Sequence, residues 1–170
     1  MVPALGGLET IRINGLCLEA FATSGGLGTM CDTWDGKLEA LNYKTMRYPG
    51  HCEKMSFFLN ELGMHRDREQ AAKILMAACP PVPEDVVYVH AAIEGQIDGE
   101  LQREEFVGEY RPIEIDNVEW RAISWTTACS VAAVVEMVND GSLPAQGFIK
   151  QEDIPLEPYL ATANGSLYLS

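Results

Sequence analysis

Two dipeptides, Asn14-Gly15 and Asp98-Gly99, constrain this chain most, because each separates segments with strand patterning and each accepts the positive backbone angles of a two-residue hairpin turn. Antiparallel pairing follows at both places. Glu9 to Ile13 and Leu16 to Thr23 make the first pair, and Val86 to Ile93 with Leu101 to Val107 make a longer second one. In the second pair Val87, Val89, Ala91 and Ile93 share one face, while Val86, Tyr88, His90 and Ala92 share the other. His90, mid-strand on the mixed face, reads as a structural residue.

Helical spacing fills the intervals. A short helix is expected from about Gly26 to Trp34, capped by Ser24 and ended by Asp35-Gly36, with a strand over Lys37 to Met46 after it. Pro49 then suits the first position of a helix whose apolar stripe is Cys52, Met55, Leu59 and Leu62 and which Gly63 ends. Arg66 to Ala78 repeats the pattern up to the Pro80-Pro81-Val82-Pro83 break, which reads as a rigid loop rather than a linker. A last long helix is expected from about Trp125 to Asn139, with Ser124 as cap, Gly141 past its end, and a small-residue face of Ala128, Ala132, Val135 and Val138. The expected fold is α+β, with a largely antiparallel or mixed sheet and helices packed against it, as a single domain over residues 1–170.

Composition narrows the function classes. A formal net charge of −13 opposes binding to nucleic acid or anionic lipid, so neither is an expected partner. No apolar run in the sequence approaches the roughly 20 residues of a membrane span, and no signal-like start is present, so the expected location is cytoplasmic. The 5 cysteines are odd in number and scattered, with no Cys-x-x-Cys, as in a reduced cytosolic protein. Cys52 and Cys129 fall among apolar residues and are expected to pack as small hydrophobes. His51, His65 and His90 lack metal-ligand spacing, so no metal site is expected.

The segment Tyr43 to His51 concentrates the groups that carry chemistry. It sets Tyr43, Lys44, Arg47, Tyr48 and His51 where a strand turns through Pro49-Gly50 into a helix. A local basic pocket around Lys44 and Arg47 suits a carboxylate despite the overall charge. His51, in the first helical turn, is expected to stay neutral beside the positive end of the helix and so to exchange a proton near neutral pH. Upstream, Gly26-Leu27-Gly28-Thr29-Met30-Cys31 partly matches the Gly-x-Gly-x-x-Gly phosphate cradle. It lacks the third glycine, and its preceding strands read as a hairpin rather than a parallel unit. The backbone N–H groups from Ser24 through Gly25 to Gly28 suit a substrate carboxylate better.

Arg47-Tyr48-Pro49-Gly50-His51, preceded by Tyr43-Lys44-Thr45 and by Glu19-Ala20-Phe21-Ala22-Thr23-Ser24-Gly25-Gly26-Leu27, closely resembles the catalytic domain of the saccharopine dehydrogenase and lysine 6-dehydrogenase family. The likeness is specific at these two motifs. It extends less closely through the hairpin after Val86 and the helix opened by Thr126-Thr127. It implies the substrate-binding and dimerisation part of an NAD(P)-dependent oxidoreductase acting on the C–N bond of an amino acid. In that family a dinucleotide-binding domain precedes this part. The resemblance therefore implies that NAD or NADP is bound mainly by a domain outside this chain, toward which residues from about 124 to 170 pack, and that the protein is a homodimer. By the same analogy, Arg47 pairs with a substrate carboxylate, His51 or Lys44 handles a proton, Tyr48 lines the pocket, and Thr23, Ser24 and Gly25 contact a polar substrate end. Two other classes stand beside this reading: a non-catalytic amino-acid-binding or dimerisation module, and a purely structural α+β interaction domain.

Overall fold

The computed structural model describes residues 2–23 and 26–169, and its elements are helices and antiparallel strands in an α+β arrangement. Contacts divide the chain into two compact units, Met1–Pro81 and Val82–Ser170, with the boundary inside the proline run.

In the first unit β1 (Glu9–Ile13) and β2 (Leu16–Phe21) pair antiparallel about the Asn14-Gly15 turn, whose φ angles are 49° and 81°. β3 (Thr45–Arg47) adds to the far edge of β2, in the register Glu19↔Arg47, Ala20↔Met46, Phe21↔Thr45. The expected strand from Lys37 shrinks to these three residues. Pairing on that edge stops at Phe21, so the chain before Thr45 has no ladder partner, and Lys37 and Leu38 instead donate to the Trp34 carbonyl. The expected helix from Gly26 shortens to α1 (Met30–Trp34), because Gly26 and Gly28 take positive φ. Ser24, its expected cap, and Gly25 lie outside the described residues.

α2 (His51–Ser56) starts two residues after Pro49, since Gly50 takes φ +87° and the helical geometry begins only beyond it. It passes into a π-helical turn, Phe57–Glu61, and stops where Gly63 takes φ +70°. α3 (Arg68–Ala78) is capped by its own Asp67, whose carboxylate accepts from Gln70 N at 3.0 Å. Ile13, Leu18, Ala20, Phe21, Cys52 and Ala71 are the buried apolar residues of this unit.

The second unit is built on a two-stranded ribbon. β4 (Val87–Ile97) pairs along its whole length with β5 (Glu100–Tyr110), about Asp98-Gly99 with φ 54° and 84°. His90 Nε2 lies 2.5 Å from Glu105 on the charged face. A second hairpin of β6 (Ile113–Ile115) and β7 (Val118–Trp120) turns at Asp116-Asn117, both with positive φ. α4 (Ala122–Asn139) follows, and the Asp85 carboxylate accepts from Ala122 N at 2.6 Å and Ile123 N at 2.9 Å. That contact moves the helix start three residues ahead of the expected one.

The buried face of α4 is Ala122, Trp125, Cys129, Ala133 and Met137, whereas Ala128 and Val135 of the expected face are exposed. A helix apolar on most sides gives no unique stripe, and the large Trp125 ring decides which side turns inward. It meets Tyr110 edge-on at 5.6 Å and Tyr168 at 5.3 Å, and its Nε1 donates to the Arg111 carbonyl at 2.8 Å. α4 is 18 residues long with mean hydropathy 1.2, enough to cross a membrane on length and composition alone, and a helix with one face in a protein core passes the same test. α5 (Leu156–Ala161) and a 3₁₀ turn, Gly165–Leu169, close the unit. There the Glu136 carboxylate accepts from the Ala163 and Asn164 amides.

Candidate functional site

The start of α2 needs an acceptor it cannot supply for itself. The first N–H groups of any helix lack intrahelical partners, and here the preceding residue is glycine, with no side chain to cap them. Glu19 fills the gap from β2. Its carboxylate accepts from Gly50 N at 2.8 Å and from Cys52 N at 2.5 Å, so it straddles His51. The residue is only 8% exposed, unusual for an acid. The Cys52 N–H and, after it, the Gly50 N–H and the His51 charge and N–H hold its carboxyl below the ordinary value, against the opposing pull of burial.

β2 also supports the imidazole. Phe21 lies two residues beyond Glu19, hence on the same strand face, and its ring stacks on His51 at 6.1 Å between centroids and 17° between planes. Arg47 stands opposite Glu19 in the ladder. Burial lowers the His51 pKa, and the Arg47 and Lys54 charges add to that while Glu19 opposes it. Desolvation and the neighbouring cations thus hold the imidazole toward its neutral form.

The expected site residues separate into two groups. His51 and Arg47 come together at this corner. The exposed Arg47 guanidinium donates to the Met46 carbonyl at 2.8 Å and pairs with no carboxylate among the described residues. Tyr48, between them in sequence, is 68% exposed. Lys44 instead ion-pairs with Glu9 on β1 at 2.9 Å, and the charges acting on His51 are those of Arg47, Glu19 and Lys54. Thr23 is exposed just past β2, and Ser24 and Gly25 lie outside the described residues. Gly26 presses on Tyr43: a Cβ there would come within 2.2 Å of the ring, so only glycine allows this approach.

In the sequence Glu19 and Phe21 stand only as members of the longer motif that runs to Leu27, with no role of their own, and Lys54 carries none either. The signal for Glu19 was an acid between Leu18 and Ala20-Phe21 together with a helix start that brings no cap of its own.

The glycine-rich loop does not fit a dinucleotide. β2 belongs to an all-antiparallel sheet, and α1 after the loop is 5 residues long, whereas a pyrophosphate cradle needs a parallel strand feeding a full helix. Among the described residues no three His, Cys, Asp or Glu side chains gather as a metal site would require. In the second unit an open groove of about 560 Å³ between α4 and the Gln151–Tyr159 segment is mostly apolar, with Val131, Val134, Val135, Ile154 and Leu156 among its walls. No family model matches the chain, and no solved structure matches it.

Proposed function

We propose that the chain is the substrate-binding part of an NAD(P)-dependent oxidoreductase that acts on the C–N bond of an amino acid, of the saccharopine dehydrogenase or lysine 6-dehydrogenase type. The observation that carries this reading is an imidazole held toward neutrality beside a guanidinium with no carboxylate partner among the described residues. Arg47 receives a substrate carboxylate, for which its planar fork is matched. His51 takes the proton that the substrate amine must lose before its carbon can be oxidised. A nicotinamide cofactor would supply the hydride acceptor and, since the loop after β2 does not fit it, would be held by a separate dinucleotide-binding domain like that of the family the sequence resembles.

Exposed apolar residues favour a second reading, a dimerisation module that binds an amino acid without transforming it. Val89, Ile93, Ile97 and Phe106 share one face of the β4–β5 ribbon, each more than 40% exposed. A face of this kind supports association with a second copy under either reading.

Calorimetric titration with lysine, saccharopine and glutamate tests the shared core of both readings. Binding by the unaltered chain that is lost in Arg47→Ala supports them, and binding of none of the three, or binding indifferent to Arg47, contradicts them. Formation of reduced nicotinamide by the full gene product, abolished in His51→Asn, separates the enzyme from the module.

A further inference from the structure

We propose that Glu19 is a positioning residue for His51, acting through the backbone on both sides of it; its part in turnover rests on the C–N reading above, while its clamp does not. The geometry is specific to one residue. One carboxylate oxygen takes the amide before His51 and the other takes the amide after it. The His51 amide itself donates to the Tyr48 carbonyl at 3.2 Å, so three successive N–H groups are tied down at the residue that bears the imidazole. Two residues on, Phe21 sets the plane of the ring. A single strand face thus fixes both the backbone and the side chain of the proton carrier, and Arg47 enters the same face from β3.

A capping Ser or Asp next to the helix would satisfy the same donors with a shorter side chain. Capping from β2 instead ties His51 to the strand that carries Phe21 and to the ladder that carries Arg47. Small displacements of a proton carrier cost rate steeply, so the tie has a catalytic consequence as well as a structural one. The charges that face the imidazole are Glu19 from β2, Arg47 from β3 and Lys54 from α2 itself. Glu19 is the one anion of the three and restrains the depression that the two cations cause.

NMR titration tests the clamp without turnover. In the unaltered chain the Glu19 carboxyl carbon and the amide protons of Gly50 and Cys52 should share one midpoint, below the ordinary carboxyl value of 4.5. Amides that do not follow Glu19 would overturn the proposal, and this measurement needs no variant to fold. Glu19→Gln removes the charge and leaves one acceptor oxygen for two amides. In the folded variant the His51 midpoint should move down and the Cys52 amide should exchange faster, and an unmoved His51 would overturn the proposal as well. In an active enzyme, Glu19→Asp, too short to span both amides, should lower kcat by ~10²-fold while KM for the carboxylate substrate stays put. Loss confined to KM would contradict a role through His51. Absence of any turnover in the unaltered protein would count against the C–N reading, whereas the shared midpoint would still stand or fall alone.

Discussion

Two helices in this molecule begin the same way and differ in what surrounds the beginning. At α2 the carboxylate of Glu19 reaches from a strand to the Gly50 and Cys52 amides; at α4 the carboxylate of Asp85 reaches from a loop to the Ala122 and Ile123 amides. In neither case does the residue at the helix boundary, Gly50 or Arg121, cap the helix with its own side chain. The physics of satisfying orphan donors is common to both. Around Asp85 the capped residues are Ala122 and Ile123, and the helix behind them turns Trp125 into the core. Around Glu19 the capped turn presents His51 beside Arg47 and Lys54. A distant cap therefore says nothing about function by itself, and the side chains it brings together do.

The sharpest separation of the two should come from turnover in the full gene product. His51→Asn is expected to lower kcat by ~10²-fold or more, the lower range for loss of a general acid–base group, while Asp85→Ala leaves kcat per folded molecule unchanged. Equal losses in the two variants would erase the distinction. Next in size is Arg47→Ala, which should raise KM for an amino-acid substrate by an amount equivalent to ~1.5–3 kcal/mol, with Arg47→Lys restoring only part. Steady-state kinetics with both variants decide it, and unchanged KM would place the carboxylate elsewhere.

Asp85→Ala should instead act on stability. Leaving two donors of α4 without their acceptor is expected to cost about 1–2 kcal/mol, read from urea unfolding followed by the fluorescence of the buried Trp125. A variant as stable as the parent would mean that water satisfies those amides equally well.

How much of this was legible in the sequence depends on how far apart the partners lie. The two hairpins with glycine at the turn were readable because the turn residues and the alternation are local. The Asp116-Asn117 hairpin was not, since its positive φ angles fall on residues without the glycine signal. Lys37 to Tyr43 looked like strand because its own residues allow it, yet β2 offers a ladder partner only from Thr45 onward. His51 and Arg47 were readable as chemistry-bearing types near a corner. Their organiser was not, because the Glu19 carboxylate meets Gly50 across 31 positions of sequence, and Lys44 is drawn to Glu9 by contacts equally remote. On α4 the sequence carried apolar residues on several faces, and only the packing of Trp125 against Tyr110 chose among them.

The smallest expected effect is a pH dependence peculiar to the first unit. His51 and Glu19 both have folded pKa values below their ordinary 6.5 and 4.5. The unfolded chain therefore binds the more protons between each folded value and its ordinary one, and stability falls as pH falls through those windows. Hydrogen exchange of β2 amides should show protection declining from about pH 6.5 downward. Arg47→Ala should flatten the upper part of that decline, because it removes one cause of the His51 depression.

The most direct measurement is the titration of the His51 ring by NMR in the unaltered chain and in Arg47→Ala. A midpoint below 6.5 is expected in the first and an upward move in the second, because burial and the Arg47 charge together lower the pKa of the imidazole. A midpoint at or above 6.5 that ignores Arg47 would contradict this, and the corner at α2 would then be a capped helix start of the same kind as that at α4.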